Sequence, residues 1–250
     1  MEFRKIFDTI PEQFDKWRPR YCDEAFADVI EHARLDCEKS ALEIGPGTGQ
    51  ATEPILKTGC NYLAVELGEH LAAYTQKKFQ MYPNFHIVNA DFETYDFGRQ
   101  KFDLVYSAAT IQWIPEKIGF SRAFTLLNSG GTFAMMMLRS DYKTPNEALY
   151  CEIEKVYAKY FHPETPYTQK LEYGNAVKYG FVDFECRKYF GKREYNADDS
   201  ISYLGTHCDH ISLKEPDRSR FCEGVRNAVL NAGNKIVFDD TIVLYLAKKP

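Results

Sequence analysis

Apolar runs alternate with amphipathic stretches through the first half of this chain. Residues 40–44, 61–65, 85–89, 102–106 and 132–138 are short runs that predict strands. Between them, residues 51–57, 71–81 and 120–127 carry helical spacing, and Pro83 stops the second of these. Residues 21–35 predict a further helix, with Phe26, Val29, Ile30 and Ala33 on one face and Pro19 just ahead of its start. The strand segments are continuously apolar rather than alternating. That pattern predicts parallel strands covered on both faces, in an α/β fold.

The second half has a different rhythm. Residues 146–161 place Leu149, Ile153, Val156, Tyr157 and Tyr160 at helical spacing. Residues 181–190 read as a strand, residues 213–232 contain a helix with Phe221, Val225 and Val229 on one face, and residues 240–247 (DTIVLYLA) read as a final strand. The helical material between these late strands exceeds a simple crossover, and is expected to form a cap over the strand ends. No internal repeat, low-complexity tract or linker interrupts the chain.

The most informative segment is residues 41–50, ALEIGPGTGQ. An apolar run ends in Glu43 and is followed by Gly45, Gly47 and Gly49, then by a helix start. Strand, glycine turn, helix is the arrangement that brings backbone close to a nucleotide. A dinucleotide fingerprint needs a further glycine where Gln50 stands. Glu43, read as lying beside the loop, would also repel a diphosphate and attract a cation. Glu66, 23 residues on and at the end of the second strand, suits two ribose hydroxyls. Asp91, with the neighbouring Phe92 amide, suits the edge of an adenine. Three acids and three glycines at one rim favour an adenosyl ligand that is cationic and carries no phosphate. An NAD(P)-dependent oxidoreductase is the alternative reading of the same fold.

Composition narrows the class. The chain has 250 residues, 44% hydrophobic, enough for a real core in one domain or one domain with a cap. A net charge of −5 with mixed signs lacks the basic surplus of avid nonspecific nucleic-acid binding. No apolar run reaches the roughly 20 residues of a membrane span, and the charged first residues do not read as a secretory signal. Seven scattered cysteines without a CxxC are expected to be reduced thiols in a cytoplasmic protein. His207, Cys208, Asp209 and His210 stand in a row and cannot readily converge on one ion, so no metal is expected.

Taken together, ALEIGPGTGQ, AVELGEHL, NADFETY, FDLVYSAATIQWIP and LLNSGGTFAMM resemble the class I S-adenosylmethionine-dependent methyltransferases, especially their small-molecule branch, over residues 40–138. The resemblance implies a Rossmann-like, seven-stranded, mostly parallel sheet with helices on both faces, a helical cap and an antiparallel last strand. The chain pattern reads as one domain over residues 1–250: an arm and helix (1–35), a cofactor-binding core (36–138), a mixed cap with a late strand (139–238) and the final strand (239–250). The implied cofactor is S-adenosyl-L-methionine. Glu43, Gly45, Gly47 and Gly49 would line its methionine part. Glu66 would hold the ribose, with Leu67 on the adenine. Asp91 and Phe92 would face the adenine, and Ser107 and Ala108 would lie beside the sulfonium. Gln112 and Trp113 occupy the place of a His-Trp pair in many members, so Gln112, counted here with the cofactor-binding residues, removes one candidate base.

In similar enzymes an N-terminal arm closes over the cofactor, so Arg18 would pair with a carboxylate of cofactor or substrate and Trp17 and Tyr21 would join the substrate pocket, as would Trp113 from the loop after the fourth strand. Residues 205–213 (GTHCDHISL) resemble a threonine-serine-histidine segment in relatives of trans-aconitate methyltransferase, with Cys208 in the serine place. His207 and His210 are the candidate general bases by type. The expected partner is a small-molecule methyl acceptor, with a carboxylate-bearing one in view and no nucleic acid or membrane. A methyltransferase acting on a macromolecule is a further alternative, although the Asn/Asp-Pro-Pro-Tyr motif of amino methylation is replaced by Ser107-Ala108-Ala109-Thr110. The acceptor atom and the oligomeric state are left open.

Overall fold

The structure is a computed structural model and describes residues 3–164, 166–168 and 170–250. Its helices are α1 (Pro11–Trp17), α2 (Asp23–Ala33), α3 (Thr52–Leu56), α4 (Glu69–Lys78), α5 (Glu116–Leu126), α6 (Glu147–Tyr160), α7 (Ala197–Leu204), α8 (Cys208–Ile211) and α9 (Asp217–Asn231). Its strands are β1 (Ser40–Ile44), β2 (Asn61–Glu66), β3 (Phe85–Asn89), β4 (Phe102–Ala108), β5 (Leu127–Asp141), β6 (Val182–Tyr195) and β7 (Ile236–Lys248). They form one seven-stranded sheet in the order β3-β2-β1-β4-β5-β7-β6. Neighbours from β3 through β5 pair in parallel.

The chain divides into two compact units. The larger comprises Pro19–Leu138, Gln169–Tyr189 and Ile242–Pro250; the smaller comprises Met1–Arg18, Arg139–Thr168 and Phe190–Thr241.

In the larger unit, side chains alternate between two cores. Ala41, Tyr62, Ala64, Leu104, Tyr106 and Ala134 join a cluster with Phe26 and Val29 of α2 and Ile55 of α3. Leu42, Ile44, Val65, Val105 and Phe133 join a second cluster with Phe120 and Ala123 of α5. This is the period-2 geometry of a strand, with apolar side chains needed on both sides because both faces are covered. Helix α2 ends where Arg34 turns left-handed at φ 48°, its N–H bonding the carbonyls of Glu31 and Ile30. In the smaller unit, Leu149 and Ile153 of α6 pack with Phe221, Val225 and Val229 of α9 and Phe238 of β7.

Several boundaries differ from the sequence reading. Helix α5 begins at Glu116, because Pro115 opens it and its polar first turn hides the start from a search for apolar spacing. The Gly130-Gly131 turn is a bulge inside β5. Pairing with β4 jumps from Phe102↔Leu127 to Leu104↔Thr132, and Gly130 takes φ +75° to absorb the extra residues. Strand β6 continues past Phe190 to Tyr195; as an edge strand it tolerates the polar run there. Segments Phe3–Thr9 and Pro11–Trp17 are helical, and so are α7 and α8, none of which the apolar spacing announced. Among the described residues, no helix is long and apolar enough to cross a membrane.

Candidate cofactor site

The glycine loop leaves β1 and returns into α3, and four contacts fix its shape. Gly45 (φ +65°) donates its N–H to Val65 O at 2.9 Å, and its carbonyl accepts from Thr110 Oγ1 at 2.9 Å. The Gly47 carbonyl accepts from Thr75 Oγ1 at 2.6 Å, and the Thr48 carbonyl accepts from Lys78 Nζ at 2.9 Å, both reaching over from α4. Gly49 (φ +83°) lies against a ring of the same helix's C-terminal end: a Cβ there would stand 2.3 Å from Phe79 Cε2. A Cβ on Gly45 would stand 2.3 Å from Thr110 Cγ2. Positive φ and close approach together explain why glycine occupies both positions.

Glu66 ends β2 and faces this loop. It is 6% exposed; one carboxylate oxygen accepts the N–H of Gly47 and the other accepts that of Gly68, each at 2.9 Å. The carboxylate is thereby oriented by two backbone donors. Asn89, which the sequence reading passed over, donates from Nδ2 to the carbonyls of Glu66 and Leu67, at 3.0 and 3.1 Å. Its place at the end of the neighbouring strand, opposite Glu66 in register, was the available signal. Leu67 is half-buried beside it.

Asp91 closes a turn after β3, accepting the Glu93 N–H at 2.9 Å. Phe92 is buried: its ring meets Phe97 edge-on at 5.9 Å and lies 5.4 Å from the Arg122 guanidinium. The ring is core, so only the backbone of Phe92 is left to face a ligand.

After β4 the chain makes a tight corner. Ser107 Oγ accepts the Ile111 N–H at 2.9 Å, and Ala109 takes φ +57°, a conformation uncommon outside glycine, asparagine and aspartate. Gln112, 7% exposed, donates from Nε2 to Ala109 O at 2.8 Å. Its Oε1 is buried with no hydrogen-bond partner among the described residues. Trp113 is half-buried at the end of the same turn, and Ala108 is half-buried beside it.

Glu43 differs from its expected place. It is 1% exposed and lies beneath the loop, not on a rim. It accepts from Thr52 Oγ1 at 2.6 Å and from the Tyr62 hydroxyl; Tyr62 and Tyr106 share a further hydrogen bond, and Tyr106 donates to Ala51 O at 3.3 Å. Strand parity is the physical reason. Glu43 shares a face with Ala41, and that face packs on Tyr62, Tyr106 and α3. Burial raises its pKa to about 7, against the pull of the three hydroxyls. Burial and the neighbouring carboxyl in turn push both tyrosines well above their ordinary value.

The remaining candidates divide between the units. Tyr21 packs on Phe26 at 6.3 Å in the larger unit. Trp17 and Arg18 belong to the smaller unit with both histidines. Trp17 meets Tyr195 edge-on at 6.4 Å. Arg18 donates to Thr206 O at 2.7 Å, with its guanidinium over Phe7 and Phe14. Burial first, then the charge of Arg18, pushes the His207 pKa well below its ordinary value. His210 is bracketed, with Nδ1 2.8 Å from Asp209 Oδ1 and Nε2 2.8 Å from the Tyr157 hydroxyl. Among the described residues, no group of three His, Cys, Asp or Glu side chains gathers as a metal site.

Residues 42–135 match the family described as "Methyltransferase domain". Over 133 residues the chain is 30% identical to malonyl-[acyl-carrier protein] O-methyltransferase 1 of Ilyobacter polytropus, covering 52% of this chain and 46% of that one. Over 51 residues it is 49% identical to ribosomal RNA small subunit methyltransferase A of a Synechococcus strain, covering 20% and 18%. The chain thus spans less than half the length of these two relatives. Among solved structures, a protein of Anaeromyxobacter dehalogenans proposed to be a type II methyltransferase superposes with TM-score 0.66 at 16% identity, over 92% of this chain and 97% of that one. A phosphoethanolamine N-methyltransferase of Haemonchus contortus, solved with S-adenosyl-L-methionine, superposes with TM-score 0.59 at 17% identity, over 100% and 60%.

The fold is therefore a Rossmann-like α/β fold shared with these solved methyltransferases, and residues 42–135 match a methyltransferase domain. The donor set has groups that suit S-adenosyl-L-methionine, the molecule bound in the Haemonchus contortus neighbour: backbone close approach at Gly45 and Gly49, an oriented carboxylate at Glu66 and an unpaired buried acceptor at Gln112.

Proposed function

We propose that the protein is an S-adenosyl-L-methionine-dependent methyltransferase acting on a small molecule, with a carboxylate-bearing acceptor the favoured class. The observation that carries the reading is the Glu66 carboxylate, locked against the N–H groups of Gly47 and Gly68 beside a loop that excludes any Cβ at Gly45 and Gly49. When bound, S-adenosyl-L-methionine supplies an electrophilic methyl group on a positively charged sulfur.

The chain's own residues supply position. Glu66 would hold the ribose hydroxyls, and the glycine loop would seat the methionine part. The Ala109 corner, latched by Gln112, would set the floor beside the reacting centre. Because these groups are already hydrogen-bonded in place, alignment is built before the cofactor arrives, and alignment is worth on the order of 7–11 kcal/mol in favourable cases. A carboxylate acceptor needs no base. A hydroxyl or carbon acid would need a base; by residue type the candidates are His207 and His210, and burial lowers the basicity of His207.

The acidic net charge supports a small acceptor, as does Ser107-Ala108-Ala109-Thr110 in place of the amino-methylation motif. The similarity to ribosomal RNA methyltransferases runs from 49% identity over 51 residues to 24% over 156 residues, and it supports a nucleic-acid acceptor as the second reading.

Titration calorimetry with S-adenosyl-L-methionine, S-adenosylhomocysteine and reduced nicotinamide dinucleotides tests the cofactor. A screen for released S-adenosylhomocysteine, over organic acids, amines and structured RNA, tests the acceptor. Tight binding of a nicotinamide dinucleotide with no response to the adenosyl compounds would sink the proposal. Turnover on RNA alone would move it to the macromolecular class.

A further inference from the structure

Glu43 lies beneath the glycine loop in a setting of hydroxyls. Tyr62 reaches it from β2, Tyr106 contributes from β4, and Thr52 reaches it from α3; among the described residues no cationic side chain or second carboxyl acts on it. The same hydroxyls tie it to the loop's return. Thr52 is the first residue of α3, and Tyr106 holds the carbonyl of Ala51 immediately before it. A carboxyl so placed is well satisfied and still uncompensated in charge.

We infer that Glu43, held by Tyr62 and Tyr106 under the glycine loop, distinguishes the two charge states of the cofactor sulfur, favouring the sulfonium over the neutral thioether that remains after methyl transfer. The inference rests on the methyltransferase reading. S-adenosyl-L-methionine and S-adenosylhomocysteine share their amino, carboxylate and adenosine groups and differ in the methyl group and the positive charge it leaves on sulfur. A sulfonium held between the loop and the Ala109 corner would stabilise an ionised carboxyl beneath the loop, in surroundings where water screens little. Binding of the sulfonium therefore drives the carboxyl O–H proton of Glu43 into solvent. The neutral thioether supplies no such drive. Glu43 acts here as a positioning and discriminating group, with no bond to the reacting atoms.

The balance between the two forms lies where it is measurable. Burial pushes the carboxyl up and the hydroxyl donors pull it down, leaving it at about 7. Affinity for the sulfonium is thus expected to rise with pH. The rise is about tenfold across the titration if the bound cation lowers the Glu43 pKa by one unit.

Calorimetry between pH 5.5 and 8.5, in buffers of different ionisation enthalpy, tests this on the full chain. The expected result is proton release and pH-dependent affinity for S-adenosyl-L-methionine, with a smaller proton release and a flatter profile for S-adenosylhomocysteine. Glu43→Gln should flatten the first profile onto the second. Tyr62→Phe removes a donor that favours the charged form, so it should move the midpoint to higher pH, a shift that a purely structural role would not produce. Should Glu43→Gln fail to fold, the Tyr62→Phe midpoint decides. Identical pH dependence for the two compounds, or an unmoved midpoint in Tyr62→Phe, overturns the inference and leaves the methyltransferase reading standing. Failure of both compounds to bind at every pH overturns the two together.

Discussion

The carboxylate of Glu66 accepts the backbone N–H of Gly47 at 2.9 Å, coupling the end of one strand to the turn that follows its neighbour. The acid that would hold the ribose thus also holds the loop that would seat the methionine part. Glu66→Ala should weaken cofactor binding at least tenfold, about 1.4 kcal/mol, as read by calorimetry. It should also lower stability by about 1–3 kcal/mol, because two N–H groups lose a charged acceptor. Unchanged affinity would detach Glu66 from the site.

Gly49→Ala should destabilise the fold by about 1–3 kcal/mol in urea denaturation, since the new methyl meets the Phe79 ring in a left-handed backbone. Combining it with Phe79→Leu should recover the steric part and leave the conformational part. A double variant no more stable than the single one would show that the ring is not the obstacle.

Gln112→Leu removes two things at once: the bond from Nε2 to Ala109 and the unpaired Oε1. One loss costs stability and the other relieves a buried unsatisfied acceptor, so the melting free energy should stay within about 1 kcal/mol of the parent. Cofactor affinity should nonetheless fall several-fold, because the Ala109 corner loses its latch. A large loss of stability with affinity intact would reverse this assignment.

Two buried groups tilt the pH dependence of stability in opposite directions. The folded pKa of Glu43 is raised to about 7 from 4.5, so the folded state holds a proton that the unfolded chain has released. Its contribution is fully present below the unfolded value and is lost as pH rises through about 7, on the order of 3 kcal/mol. His207 has a lowered folded pKa, so its contribution is present above the ordinary histidine range and is lost as pH falls below it. Urea denaturation from pH 5 to 8 should show Glu43→Gln losing the decline toward neutral pH, and His207→Asn losing the decline toward acid. A parallel response of both variants would contradict the burial assigned to each.

The parallel half of the sheet was legible because its strands are apolar on both faces and its helices intervene at regular lengths. The pairing of Gly45 with Thr110 and of Gly49 with Phe79 was not, since contacts across about 30 or more residues leave no local spacing to read. Glu66 was identified by its distance from Glu43. Glu43 was misplaced because adjacency to a glycine loop suggests a rim, whereas strand parity turns the side chain inward toward Tyr62 and Tyr106. The late strands were shortened in the reading because β6, an edge strand, carries Lys192, Arg193 and Glu194 where a central strand would be apolar. Helices α7 and α8 are too short to establish a period.

Thr75 and Lys78 grip the carbonyls of Gly47 and Thr48 from one side of α4. A recognition turn clasped in this way is a mould already cast. Its amide hydrogens should exchange slowly even in ligand-free protein, and the entropy usually surrendered when a glycine-rich segment freezes around its guest is already spent during folding.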